Sequence, residues 1–248
     1  MSLALRGLSL RLLAPLLLFA VLAAGWQWVA FNLKSILPPL EAVAADIAVR
    51  PGFYLGNLSV TVEAALAGFA AGGGIAFVLA VAVIHFRFLR SAVVPVALLL
   101  NVTPVVAISP ALIVAFGFNA VPHIIVAAVS AFFPMLINAM TGLDAIDPQA
   151  LEVFDSMSAS RMDILWRLRL PSSLPYLFSG ARLSITAAMV GSIVSEFMGT
   201  AHGIGAAIVI ATTYLNLSQM WGAIFISAVS TLLLIGLVGL IERLVVRW

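Results

Sequence analysis

Six apolar runs, each long enough to cross a lipid bilayer, dominate this chain: roughly 10–31, 58–83, 92–116, 120–142, 176–198 and 219–241. About 20 apolar residues in helical form span a hydrocarbon core ~30 Å thick. Inside lipid every backbone N–H and C=O must find a partner in the protein, which restricts spanning structures to helices and closed barrels. Runs of this length predict helices, so the expected fold class is an all-α polytopic membrane protein, one transmembrane domain over 1–248 with about six transmembrane helices. Composition agrees, with 63% hydrophobic and 9% charged residues, where a soluble domain carries about 25% charged. A net charge of +2 spread over scattered arginines gives no nucleic-acid footprint. The absence of cysteine excludes disulfides, thiolate metal sites and thiol catalysis. One further apolar stretch, GIGAAIVIATTYLN at 203–216, is short and carries Thr212, Thr213, Tyr214 and Asn216. It is read as a re-entrant or interfacial piece, with an ordinary seventh span as the alternative.

Cytoplasmic loops are enriched in lysine and arginine. With six spans, Arg6, Arg11, Arg87, Arg90, Arg161, Arg167, Arg169, Arg182, Arg243 and Arg247 all fall on one side, and only Lys34 and Arg50 fall outside. A seventh span would move Arg243 and Arg247 to the wrong side. The expectation is therefore a multi-pass membrane protein with both termini cytoplasmic. The first run has a basic start but lacks a clear cleavage site and ends in Trp26 and Trp28, so it is read as a retained span rather than a signal peptide.

Gly68 and Gly72 make a small-xxx-small pair, extended by Gly73 and Gly74, and such positions let helix backbones approach closely in lipid. Pro95, Pro104, Pro110 and Pro134 interrupt the third and fourth runs. In Asn101-Val102-Thr103-Pro104 two polar side chains flank an expected helix break, and broken helices line pathways in transporters. Asn101, Thr103, Asn138, Ser192 and Glu196 are the candidate pathway or gate residues, with bonding between helices as the plainer role for Asn138 and a structural role open for Glu196. Glu63 and Glu196 are the acids placed at or near membrane depth, where ionisable groups are functional candidates by default. His85, His123 and His202 show no metal-ligand spacing.

The segment 143–175 departs from this pattern, holding 8 of the 22 formal charges: five acids and three arginines. Asp147 before Pro148 predicts a capped helix start, followed by an apolar stripe of Ala150, Val153, Phe154 and Met157 at helical spacing. Ser160 with Asp163 predicts a second capped helix, carrying Ile164, Leu165 and Leu168, with Pro171 ending it and Pro175 opening the fifth span. The expected structure is a cytoplasmic helix-turn-helix, apolar on one side, which either lies against lipid headgroups, a reading weakened by five acids to three arginines, or docks a soluble partner through Phe154 and Met157.

The same segment resembles the EAA loop of permease subunits of binding-protein-dependent ABC importers: Glu-Ala-Ala, three residues, Gly, nine residues, Ile, one residue, Leu-Pro. Glu152 matches the glutamate, and Leu168, Leu170 and Pro171 match the end, while Val153 and Phe154 replace the alanines and Ser158 the glycine. Elsewhere, Ile36-Leu37-Pro38-Pro39, TVEAALAGF (61–69), NVTPVVAISPALIVAFG (101–117), FPMLINAMTG (133–142) and LPYLFSGARLSI (174–185) resemble, in order, segments of the sulfonate, taurine and nitrate branch, and Glu196 falls where that branch has a glutamate. The likeness runs over roughly residues 20–247.

The resemblance implies a MetI-like type I ABC importer permease, a non-catalytic transport subunit of the bacterial inner membrane. It implies a second permease copy, usually identical, two cytoplasmic ATPase subunits, and an extracytoplasmic substrate-binding protein. It implies ATPase docking through Glu152, Val153, Phe154, Met157, Ser158, Arg161, Leu168 and Pro171. No cofactor is expected on this chain. ATP and Mg²⁺ would sit on the partner ATPase, consistent with the lack of any G-x-x-x-x-G-K-[ST] here. The alternative is an ion-coupled secondary transporter using Glu63 and Glu196. A membrane-embedded enzyme is disfavoured by the lack of H-E-x-x-H and G-x-S-G.

Overall fold

The computed structural model describes residues 2–32, 37–198 and 200–246. Lys34, Ile36 and Arg247, which entered the sequence reading, lie outside them. Among the described residues there is no strand. The helices are α1 (Ser2–Asn32), α2 (Leu40–Val49), α3 (Pro51–His85), α4 (Arg90–Val102), α5 (Val105–Phe116), α6 (Ala120–Asp144), α7 (Pro148–Ser156), α8 (Arg161–Ile164), α9 (Leu170–Glu196), α10 (Ile204–Thr213) and α11 (Leu217–Val245). Among the described residues five helices are long and apolar enough to cross a membrane, and the bent α4–α5 pair brings the number to six if it is counted as one broken span. The bend of 96° falls between Arg87–Val102 and Ala107–Phe116. Its position follows from Pro104, which caps α5 in an extended conformation and cannot continue α4.

The centre of the bundle is α6, packed between α3 and α9. Small residues bring these backbones together: Ala65, Ala127, Ala131, Ala188 and Met189 form one buried cluster. A Cβ at Gly68 would lie 2.8 Å from the Ala128 nitrogen and the Ile124 oxygen, and one at Gly72 would lie 2.7 Å from the Ala128 carbonyl carbon, so only glycine allows this approach. Gly180 and Gly191 do the same for α9 against Asn138 and Ser130 of α6. Gly74 does not belong to the seam, because nothing lies within 4 Å of a Cβ there. A larger cluster of Ala76, Val83, Leu136, Met140, Leu143 and Leu165 closes the end next to α7 and α8.

At the opposite end, α2 is a helix that the sequence reading did not assign. It is docked by polar bonds: Arg50 and Tyr54 both bond Asp46, and Arg50 also donates to Gln219 at 3.2 Å. Gln27 ties α1 to it by donating to Glu41 at 2.7 Å. Bonds from its own backbone N–H and from Gln27 hold the Glu41 carboxyl below its ordinary pKa. Trp26 packs edge-on against Trp221 at 4.5 Å. The stretch 203–216 contains α10, whose ten residues rise about 15 Å, half a hydrocarbon core. It is too short for a seventh span.

Two expectations about the charged segment need correction. Pro171 does not end a helix. α8 widens into a π segment, Leu165–Arg169, and runs on into α9, giving a continuous helix Arg161–Glu196. A proline in an α-helix clashes with the carbonyl four residues back, here Arg167. The i→i+5 bond from Leu170 N–H to the Leu165 carbonyl shifts that register, and the helix continues. Pro175 is accordingly an interior residue of α9, not its first.

Candidate functional site

The helix-turn-helix is built as its caps dictate. The Asp147 carboxylate accepts from the Gln149 N–H at 2.9 Å, with Pro148 in the first position of α7. Ser160 and Asp163 form a reciprocal capping box at α8. Asp144 closes the neck of the element. It accepts from Arg90 at 3.2 Å, and Arg169 approaches it at 4.0 Å while donating to the Leu143 carbonyl at 2.6 Å. The ends of α4, α6 and the π segment are thus joined at one point.

Along α7, Leu151 and Phe154 are half-buried, whereas Val153 is 56% and Met157 75% exposed. Glu152, Ser158 and Arg161 are also exposed, Leu168 and Pro171 half-buried. Trp166 of the π segment is 65% exposed as well. The stripe read from sequence therefore divides. Phe154 helps hold the element, while Val153 and Met157 present apolar surface with nothing on it.

Ser158 explains the turn. Its φ is +54°, the left-handed conformation, and around it the Ser158 N–H bonds the Asp155 carbonyl and the Ala159 N–H bonds the Phe154 carbonyl, both at 3.0 Å. This is a Schellman motif, in which glycine is the least strained residue at the left-handed position. The resembling pattern has glycine there. Ser158→Gly is expected to relieve about 1 kcal/mol of backbone strain. Tryptic cleavage after Arg161, which needs local opening, should then slow roughly fivefold, and an unchanged cleavage rate would argue against strain at Ser158.

The five pathway candidates separate. Glu196 is 1% exposed and held by the Thr61 hydroxyl at 3.0 Å, the Gly205 N–H at 2.8 Å and the Ser192 hydroxyl at 3.4 Å. Ser192 also donates to the Thr61 carbonyl at 3.3 Å. These residues join α3, α9 and α10 in the interior. Gly203 and Gly205 are shaped to this: a Cβ at either would press on the Glu196 side chain. The Thr103 hydroxyl returns to the Leu99 carbonyl of its own helix at 2.6 Å. The Asn138 amide bonds the Pro134 carbonyl of its own turn at 2.8 Å, not another helix.

Of the five, Asn101 lines a cleft. This space of about 420 Å³ is also lined by Ser130, Pro134, Val190, Gly191 and Val194. Pro134 has no N–H to give the Ser130 carbonyl, which leaves that acceptor without its usual helical donor, and no formal charge lines the wall. Sequence reasoning missed Ser130, Val190 and Val194, which look like ordinary span residues until α6 and α9 meet. Glu63 lies on the exposed face of α3. Among the described residues no three His, Cys, Asp or Glu are grouped to hold a metal.

Residues 72–248 match the family described as binding-protein-dependent transport system inner membrane component. The riboflavin transport system permease protein RibX of Chloroflexus aurantiacus is 34% identical over 86% of this chain and 80% of its own length. The putative aliphatic sulfonates transport permease protein SsuC of Bacillus subtilis is 29% identical, over 94% of this chain and 86% of its own. The formylaminopyrimidine transport permease protein ThiX of Halalkalibacterium halodurans is 27% identical, over 79% and 80%. Among solved structures, an inward-facing MetNI methionine ABC transporter shares the fold with a TM-score of 0.61 at 20% identity, over 78% of this chain and 94% of that one. With the family match, the relatives and the fold in agreement, this chain belongs to the binding-protein-dependent inner membrane components, the permease subunits of ABC importers.

Proposed function

We propose that this chain, as one transmembrane domain over 1–248, pairs with a second identical copy to form the pathway for a small solute. An extracytoplasmic binding protein delivers the solute, and two cytoplasmic ATPases that carry the ATP and Mg²⁺ drive its passage. In this reading α7 and α8 are the coupling element, with Glu152, Val153, Met157, Ser158 and Arg161 facing the ATPase, Phe154 bracing the helix pair, and Leu168 and Pro171 in the helix behind it.

The observation that carries the reading is mechanical. A doubly capped helix pair with bare Val153 and Met157 is continuous with Arg161–Glu196, a helix that runs the length of the bundle. Motion of α7 and α8 would therefore move α9 as a rod and change the cleft walls at Val190 and Val194, the alternation that transport requires. Asn101 and the Ser130 carbonyl are the groups we place on the solute path. Thr103, Asn138, Ser192 and Glu196 serve the helices that frame it. The uncharged wall suits a neutral solute or a polar organic molecule. RibX and ThiX are named for riboflavin and formylaminopyrimidine, and this chain is proposed to carry a solute of that broad kind.

Purification of the tagged chain in mild detergent is the test: two ATPase subunits should accompany two permease copies. A chain that purifies alone and transports after reconstitution without ATP would favour the ion-coupled alternative. Topology has its own check, because the chain contains no cysteine. A cysteine at Ser156 should react with an impermeant maleimide only from the cytoplasmic side, and one at Ala44 of α2 only from outside. The reverse pattern would overturn the proposed orientation.

A further inference from the structure

Beside the coupling element lies a second cleft, of about 360 Å³, with Arg87, Arg161, Arg169 and His85 on its walls. Arg87 follows α3, while Arg161 opens α8 and Arg169 ends the π segment of the same continuous helix, so two separate stretches of chain bring three cations to one place. Arg169 is partly engaged with Asp144 and the Leu143 carbonyl. Arg87 and Arg161 form no ion pair among the described residues. The His85 Nδ1 is occupied by the Val81 carbonyl at 3.1 Å.

The charged segment as a whole carries more acids than arginines, but the fold sorts them. None of its carboxylates lines this cleft. Asp144 borders only an adjoining one, with Arg87, Arg90 and Arg169. The result is a concave, net cationic surface that is not visible in the sequence count.

The other walls are aliphatic: Ile84, Leu151 and Ile164. Arginines beside aliphatic side chains at the end of a spanning helix match a molecule that is anionic at one end and hydrocarbon next to it. A free phosphate would leave those side chains unused. We propose that this cleft binds the phosphate of an anionic phospholipid headgroup, with Ile84, Leu151 and Ile164 against its glycerol and first methylenes. Basic pockets between spanning helices recognise such headgroups by this chemistry, and arginine is the residue best shaped for phosphate. A lipid seated here touches the end of α3, Leu151 of α7 and Arg161 of α8 together, and so braces the element proposed above for coupling. The lipid site rests on that reading only for which leaflet supplies the lipid.

The test uses the full chain in detergent, without partners, so that its failure is separate from any failure of the transport reading. Native mass spectrometry with added phosphatidylglycerol should show one tight adduct per chain, well above that with phosphatidylcholine. Arg87→Ala with Arg161→Ala should weaken it roughly 30-fold, taking about 1 kcal/mol for each arginine near a membrane surface. Leu151→Glu keeps every arginine but puts a carboxylate in the cleft, and it should weaken the adduct too. Arg243→Ala, at the end of α11, should not. Adducts indifferent to the cleft variants would place the lipid elsewhere and overturn the proposal. Displacement by millimolar inorganic phosphate, with phosphatidylglycerol bound no better than phosphatidylcholine, would make this a soluble-anion site and overturn it equally.

Discussion

Met157→Glu, or Val153→Glu, is expected to abolish ATP-driven uptake while the chain still reaches the membrane at its normal level. Both side chains are exposed, at 75% and 56%; Val153 lies within α7, and Met157 caps its C-terminus through its backbone N–H alone, so neither substitution removes a side-chain contact that holds the fold. A carboxylate there must be desolvated on docking. Truncating a central apolar anchor of an interface costs about 2 kcal/mol or more, roughly 30-fold in affinity, and a buried unpaired charge costs more still. Co-purification of the ATPase should fall with uptake. Phe154→Arg is expected to fail as well but is a poorer probe: the Phe154 side chain is half-buried, so docking and folding are lost together. Glu152→Arg, exposed and outside the apolar stripe, should give a smaller defect. Wild-type uptake and ATPase recovery with both Met157→Glu and Val153→Glu would remove α7 from the docking role.

Gly72→Ala is expected to destabilise the bundle core severely, and Gly74→Ala, two residues along, to leave it unchanged. The added methyl at Gly72 would meet the backbone of Ala128, including its carbonyl carbon at 2.7 Å, and no side chain can rotate away to accept it. Either α3 and α6 move apart or the helix bends. Overpacking typically costs about 1–3 kcal/mol where side chains can adjust, and a backbone contact puts this case at or above the upper end. At Gly74 the methyl meets nothing within 4 Å. The measurement is the thermal midpoint and yield of monodisperse protein in one detergent. Equal values for the two variants would mean that the close approach of α3 and α6 is not what holds the bundle. The effect on transport should follow stability, since the Ser130 side of the cleft belongs to the same helix α6.

Much of this molecule was legible because its causes are local. Apolar length alone gives the spans. The caps at Asp147 and Ser160 depend on side chains bonding backbone two or three residues away, and the break at Asn101–Pro104 depends on a missing N–H. A mid-helix proline was less legible: Pro171 reads as a stop because the π segment that accommodates it leaves no mark in composition. Nor did the residues of α2 announce a helix. It is secured by Asp46, Arg50 and Gln219, partners up to 169 positions apart.

The functional residues divide the same way. The sequence by itself determined a six-span membrane helix bundle and a capped amphipathic element, because hydrophobic length, proline and capping chemistry act within a few residues. Which polar groups remain available to a solute or a partner was decided only by tertiary packing. Ser192 and Glu196 look like pathway residues until α3 and α10 close around them. Ser130 and Val190 look inert until α6 and α9 open a cleft beside Asn101. Arg87 and Arg161 are far apart in the chain and share a wall only because α3 ends where α8 begins. Exposure and pairing belong to surfaces shared by distant segments, and no single stretch of sequence carries that information.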